Sequence, residues 1–169
     1  MKIARVSSTE RGEVDRLLSE VADELQQAGA KLAGIVKDQA HESQFDNGCD
    51  MKVRVLPEGP VIQITQNLGA GSDACRLDPA AIVDAVSKVE RGDLDRSDLF
   101  ILNKFGPEEL AGRGFVSAIG KAVGQGVPVL VGVGMNSCEA FDEFAGGTAK
   151  ELAPEKSALL AWCRAQMAG

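Results

Sequence analysis

A three-layer α/β/α domain, with a mostly parallel sheet and an antiparallel hairpin at one side, is the fold this sequence predicts, on three observations. Leu99-Phe100-Ile101-Leu102 and the run from Val127 to Val133 are apolar, too short for helices and without polar alternation, which fits strands covered on both faces. Segments of helical spacing alternate with such runs along the chain, the order expected of a parallel sheet wound by crossover helices. Met51 to Leu56 and Val61 to Thr65 alternate residue by residue about Pro57-Glu58-Gly59-Pro60, which predicts an edge hairpin with Lys52, Arg54 and Gln63 on its wet face.

Taken in order, Lys2 to Ser7 reads as a first strand feeding the polar loop Ser7-Ser8-Thr9. From Val14, the apolar residues Leu17, Leu18, Val21, Ala22 and Leu25 recur at helical spacing and stop at Gly29, a natural residue just past a helix end. Leu32 to Val36 is the next strand, so the chain opens β-α-β. Residues 66–78 read as a long glycine-bearing connection, after which Asp78 caps a helix with Pro79 in its first turn and Ile82, Val83, Val86 and Val89 on its apolar side. The apolar strand from Leu99 follows. Next comes one helix from Pro107 to Val123, weakened by Gly112 and Gly114, with Phe115, Ile119 and Val123 facing in. After Val127 to Val133, Asn136 or Ser137 caps a short helix with Phe141 and Phe144. A short edge strand near Ala149 to Leu152 and a helix from Pro154 to Gln166 complete one domain over residues 1–169.

At 169 residues the chain suits a single core. A net charge of −7 without a basic run argues against a nucleic-acid surface, because phosphate neutralisation supplies most such affinity. No apolar run approaches the roughly 20 residues a membrane helix needs, so no membrane insertion and a cytoplasmic location are expected. Cys49, Cys75, Cys138 and Cys163 form no Cys-x-x-Cys pair and His41 is the single histidine, so neither a zinc site nor a disulfide framework is indicated. Cys138 and Cys163 read as helical packing residues.

Candidate ligand residues gather at strand ends, because open α/β sheets bind ligands outside the carboxyl ends of their strands. Ser7, Ser8 and Thr9 end the first strand, and Asn103 and Lys104 end the strand that begins at Leu99. Between them in sequence, Asn67, Gly69, Gly71, Ser72 and Arg76 offer amides, a hydroxyl and a guanidinium, a set suited to an oxyanion; a plain connection is the competing reading. Cys75 stands as either a thiolate ligand or a buried residue. Arg113 reads as a surface arginine first and a contributor to the ligand edge second.

The stretches "DLFILNKFGPEELAGRGF", "QNLGAGSDACRLD" and "GVPVLVGVG" resemble a bacterial family of unassigned function whose genes sit near molybdenum-transport genes. That family in turn resembles P-loop nucleoside triphosphatases. The resemblance implies their fold and a strand, corresponding to Leu99–Leu102, that in those enzymes ends in an acidic pair handling magnesium and water. A working phosphate loop reads Gly-x-x-x-x-Gly-Lys-Ser/Thr. Here the matching place is Ser7-Ser8-Thr9-Glu10-Arg11-Gly12-Glu13-Val14: Gly12 is in register, Glu13 stands where the lysine belongs, and Val14 cannot ligate a metal. Asn103 and Lys104 replace the acidic pair, so triphosphate hydrolysis is not expected.

The leading expectation is a non-catalytic cytoplasmic binding protein for a small oxyanion, with no certain cofactor. Bound molybdate or tungstate is what the resemblance implies. The runner-up is an enzyme or regulator that uses a nucleotide or a molybdenum-cofactor intermediate, and the third is a protein-interaction module. A homo-oligomer is expected through an exposed sheet edge or the glycines at 112 and 114. The anion is expected to be shared by Arg76, Lys104 and the amides of Gly69 to Ser72, provided that the hairpin does not send the glycine loop to the opposite edge.

Overall fold

The computed structural model describes residues 1–41, 51–67 and 75–169, and of residues 67, 75 and 76 the backbone. Its strands are β1 (Ile3–Val6), β2 (Leu32–Lys37), β3 (Lys52–Val55), β4 (Val61–Gln63), β5 (Thr65–Asn67), β6 (Cys75–Leu77), β7 (Leu99–Phe105), β8 (Val129–Val133) and β9 (Lys150–Leu152). Its helices are α1 (Glu13–Gln27), α2 (Pro79–Arg91), α3 (Pro107–Leu110), α4 (Val116–Gly124), α5 (Cys138–Phe144) and α6 (Lys156–Ala168). Seven strands form one sheet in the order β4-β3-β2-β7-β8-β1-β9. β2, β7, β8, β1 and β9 run parallel, while β3 is antiparallel to both of its neighbours.

The period of two along each strand divides the core between the two faces of the sheet. Ala4, Val6, Leu32, Val36, Leu99, Ile101 and Leu130 pack under Leu17, Leu18, Val21 and Leu25 of α1 and Leu159, Leu160, Trp162 and Cys163 of α6. On the other face, Ala33, Ile35, Phe100, Leu102, Val129 and Val131 meet Ile82, Ala85 and Val89 of α2 and Ala118, Ile119 and Ala122 of α4. The expected three layers are therefore present. The hairpin sits at the sheet edge, as its strict alternation required. Because β3 reverses direction and β4 reverses it again, β4 runs parallel to β2, so the chain leaves it toward the same edge at which β2 ends.

Four local expectations need correction. The described ends of the segment 66–78 are not plain connection: β5 and β6 pair as an antiparallel ribbon, held beside the main sheet where Asp78 N–H donates to the Ile64 carbonyl at 2.7 Å. Val83 is 68% exposed; the inward stripe of α2 uses Ala85 instead, one turn from both Ile82 and Val89. The segment Pro107 to Val123 is two helices, because Gly112 and Gly114 take φ values of +80° and +59° that end α3 instead of sitting within a helix. Helical glycines are thus no route to the expected oligomer contact. Finally, β7 runs past Leu102 through Asn103 and Lys104 to Phe105.

That extension contains a bulge. Leu102 pairs with Val131 and Phe105 with Val133, so three steps on β7 oppose two on β8. Simple alternation would put Phe105 on the α1 face with Asn103; the extra residue turns it onto the opposite face, against Phe141, and leaves Lys104 exposed. Asn103 keeps the α1 face and is 3% exposed. Alternation thus aims the Asn103 amide inward, and the bulge after it leaves the Lys104 ammonium outward at the same strand end.

Candidate functional site

The carboxyl ends of β1, β2, β7 and β8 converge on a cleft of about 440 Å³, lined on its polar side by Ser8, Glu10, Arg11, Asp15, Lys37, His41, Asn103 and Lys104. Gly12, Gly132 and Gly134 lie along it. Gly132 explains how closely its walls approach: a side chain there would meet the Asn103 carbonyl, with Val14 at 2.9 Å and Leu18 at 3.0 Å. Its absence lets the first turn of α1 lie on β8. Gly12, at φ +78°, turns the loop after β1 into that helix.

One network ties the floor together. Asn103 Nδ2 donates to Asp15 Oδ1 at 3.0 Å, and the backbone N–H of Lys37 donates to Asn103 Oδ1 at 3.2 Å. The Lys37 ammonium stands 3.8 Å from Asp15 Oδ2. Since a carbonyl oxygen accepts and an amide nitrogen donates, the Lys37 N–H fixes which end of Asn103 faces Asp15. Three elements, β2, α1 and β7, are joined by a buried side chain that satisfies both of its polar ends.

The loop between β1 and α1 is held from within. Ser8 Oγ accepts the Glu10 N–H at 3.0 Å and donates to Glu13 Oε1 at 3.2 Å. Glu13 thus folds back on its own loop. Its hydrogen bond and charge hold the Glu10 carboxyl above the ordinary carboxylate range.

Of the residues expected to bind, Ser8, Asn103 and Lys104 line this cleft. Thr9 lines an adjoining one of about 560 Å³, which shares Ser8, Lys104 and Gly134 with the first. Ser7 turns away, its Oγ lying 3.2 Å from Cys138 Sγ. Arg113 lies outside both clefts on the surface, its guanidinium held by Glu108 at 3.0 and 3.2 Å. Asn67, Cys75 and Arg76 belong to the ribbon, where the backbone alone is described, and Gly69, Gly71 and Ser72 lie outside the described residues. The ribbon begins beside the cleft: Met51, which lines it, donates its N–H to Thr65 Oγ1 at 2.9 Å.

Sequence reasoning missed Arg11, Asp15 and Lys37. Lys37 carried the same signal as Lys104, a cation following an apolar strand, and Asp15 stood in the first turn of a helix after a Gly-bearing loop. Both cysteines expected to pack lie in helices: Cys163 is buried, which pushes its thiol up to about 12, and Cys138 is half-buried at the start of α5.

A family model described as protein of unknown function, DUF2478, matches residues 3–162. The chain belongs to that family. Over 165 residues it is 33% identical to the molybdenum import ATP-binding protein ModC 2 of Bradyrhizobium diazoefficiens, covering 96% of this chain and 18% of that protein. The chain thus spans less than a fifth of that relative's length. Among solved structures, a human cancer-related nucleoside triphosphatase matches 89% of this chain and 87% of its own, with a TM-score of 0.60 and 12% identity. THEP1 from the hyperthermophile Aquifex aeolicus matches equally, covering 89% and 88% at a TM-score of 0.60 and 12% identity. This DUF2478 chain therefore has a nucleoside-triphosphatase-like α/β fold. Among its described residues, no helix is long and apolar enough to cross a membrane.

Proposed function

We propose that the chain is a non-catalytic, cytoplasmic binding unit for a small oxyanion, held in the cleft at the carboxyl edge. The observation that carries this reading is the gathering of Arg11, Lys37 and Lys104 around one cleft, against two carboxylates among the described residues, in a chain of net charge −7. Hydrolysis is left out because Glu13 occupies the place of the phosphate lysine and Asn103 is committed to Asp15 and Lys37. A relative named for molybdenum import brings molybdate forward; tungstate joins it as an anion of the same shape and charge, with sulfate and phosphate as the competitors.

The second reading, nucleotide or molybdenum-cofactor binding in an enzyme or regulator, draws on the fold shared with nucleoside triphosphatases. A thermal-shift panel separates the two: oxyanions stabilise the protein under the first, and ATP or GTP with magnesium under the second. If none of them does, a protein-interaction module remains. Under the leading reading, calorimetry with Lys104→Ala is expected to show anion affinity lower by about ten- to a hundredfold, since a charge-assisted hydrogen bond contributes roughly 1.5–3 kcal/mol. Unchanged affinity, or magnesium-dependent turnover of ATP by the pure protein, overturns it. The homo-oligomer proposal rests now on the sheet edges alone, and a monomeric mass in light scattering removes it.

A further inference from the structure

The floor of the cleft carries an acceptor, Asp15, fixed in place by its neighbours. Asp15 Oδ1 takes the Asn103 amide at 3.0 Å, and Asn103, buried and bonded in turn to the Lys37 N–H, cannot rotate. The carboxylate is therefore held in one orientation, with Oδ2 toward the Lys37 ammonium at 3.8 Å, an ion-pair separation longer than a hydrogen bond, and with its side chain part-exposed to the cleft. Lys37 offsets the charge of Asp15 without using up its lone pairs. Glu10, the other carboxylate of the cleft among the described residues, is exposed.

A tetrahedral anion seated among Arg11, Lys37 and Lys104 would bring one oxygen against this fixed acceptor. If that oxygen carries a proton, it donates a short charge-assisted bond to Asp15. If it is bare, two anionic oxygens face each other with no proton between them, and their repulsion is how a site rejects a wrong partner. We propose that Asp15 selects the ligand of this cleft, and that the preferred ligand is an oxyanion still bearing an O–H, of the hydrogen phosphate type, over those that bear none. Phosphate and arsenate keep an O–H at neutral and mildly alkaline pH, whereas sulfate, molybdate and tungstate have lost theirs. The inference rests on the oxyanion reading and narrows it from the cleft's own chemistry, against the direction in which the import relative points.

The test is calorimetric titration of phosphate, arsenate, sulfate, molybdate and tungstate into the full chain at mildly alkaline pH. Phosphate and arsenate are expected to bind at least about tenfold more tightly than the other three. Asp15→Asn keeps an oxygen for Asn103 and turns an N–H₂ into the cleft, so it should raise the affinity of the three proton-free anions by about tenfold and level or invert the order. Lys104→Ala, at an exposed side chain, should weaken all five without reordering them. A wild-type preference for molybdate or tungstate, or a ranking untouched by Asp15→Asn, overturns selection by Asp15 and leaves the oxyanion reading standing. No heat with any anion overturns both.

Discussion

Gly132 and Glu109 show how single residues set the geometry of the cleft and its surroundings. A methyl group at Gly132 has nowhere to go, because the atoms it would meet are a backbone carbonyl of β7 and two side chains of α1 already packed on the sheet. Gly132→Ala is therefore expected to lower stability by about 1–3 kcal/mol in urea unfolding and, by lifting α1, to weaken anion binding as well. Glu109 is 8% exposed, and its two oxygens accept the N–H groups of Gly106 at 3.0 Å and Phe115 at 3.2 Å. Burial raises its carboxyl above the ordinary carboxylate range, although those N–H bonds oppose the shift. With the native value above the unfolded one, the native state holds the proton more tightly, and stability falls as pH rises from the ordinary carboxylate value through the raised one. Glu109→Gln removes that slope but loses one acceptor, so wild type should lead most clearly in acid, and the gap in urea midpoints should narrow toward neutral pH.

Between α3 and α4 the chain makes a turn that helix periodicity could not anticipate. Phe115, Ile119 and Val123 keep one helical phase, yet the two positive-φ glycines impose a break, and Glu109 bridges it by joining the N–H groups on either side. The two glycines are unequal. A Cβ on Gly112 meets nothing, so Gly112→Ala carries only the left-handed backbone cost of about 1–2 kcal/mol. A Cβ on Gly114 would also strike the Glu109 carboxylate, with its Cδ at 2.9 Å, and that group cannot move without leaving two N–H donors unpaired. Gly114→Ala should cost the larger amount by about 1 kcal/mol or more, read as separate midpoints in chemical denaturation. Equal costs would mean that Glu109 does not bridge the turn.

Across the whole molecule, Arg5 at the centre of β1 couples the last third of the chain to the first strand. It is 8% exposed, and its guanidinium meets Asp142 of α5 at 2.8 and 3.0 Å and Glu151 of β9 at 3.4 Å. The bidentate bond holds the Asp142 carboxyl below its ordinary range, so the stability it adds is present above the unfolded value and is lost as pH falls through the depressed one. Because Asp142 and Glu151 are part-exposed and can recover water, Arg5→Met should cost about 2–3 kcal/mol, below the usual loss for a broken buried pair. Hydrogen exchange should locate the loosening at α5 and β9 and leave β2 protected.

The residues alone determined whatever depends on local spacing: strands covered on both faces, the edge hairpin, and Asp78 as a cap with bonds to the Ala80 and Ala81 N–H groups. Apolar period sets which face of an element is buried, and those readings need no partner. The cleft depends on something else. Asp15, Lys37 and Asn103 are far apart in sequence and meet because the sheet order places β2 beside β7, and β7 beside β8, under the start of α1. The bulge that separates Asn103 from Lys104 likewise exists only against β8, where the pairing of Val131 and Val133 with Leu102 and Phe105 leaves one residue over. A strand's own pattern carries its faces, but not its neighbours or its register, and the acceptor and cations of this cleft are brought together by both.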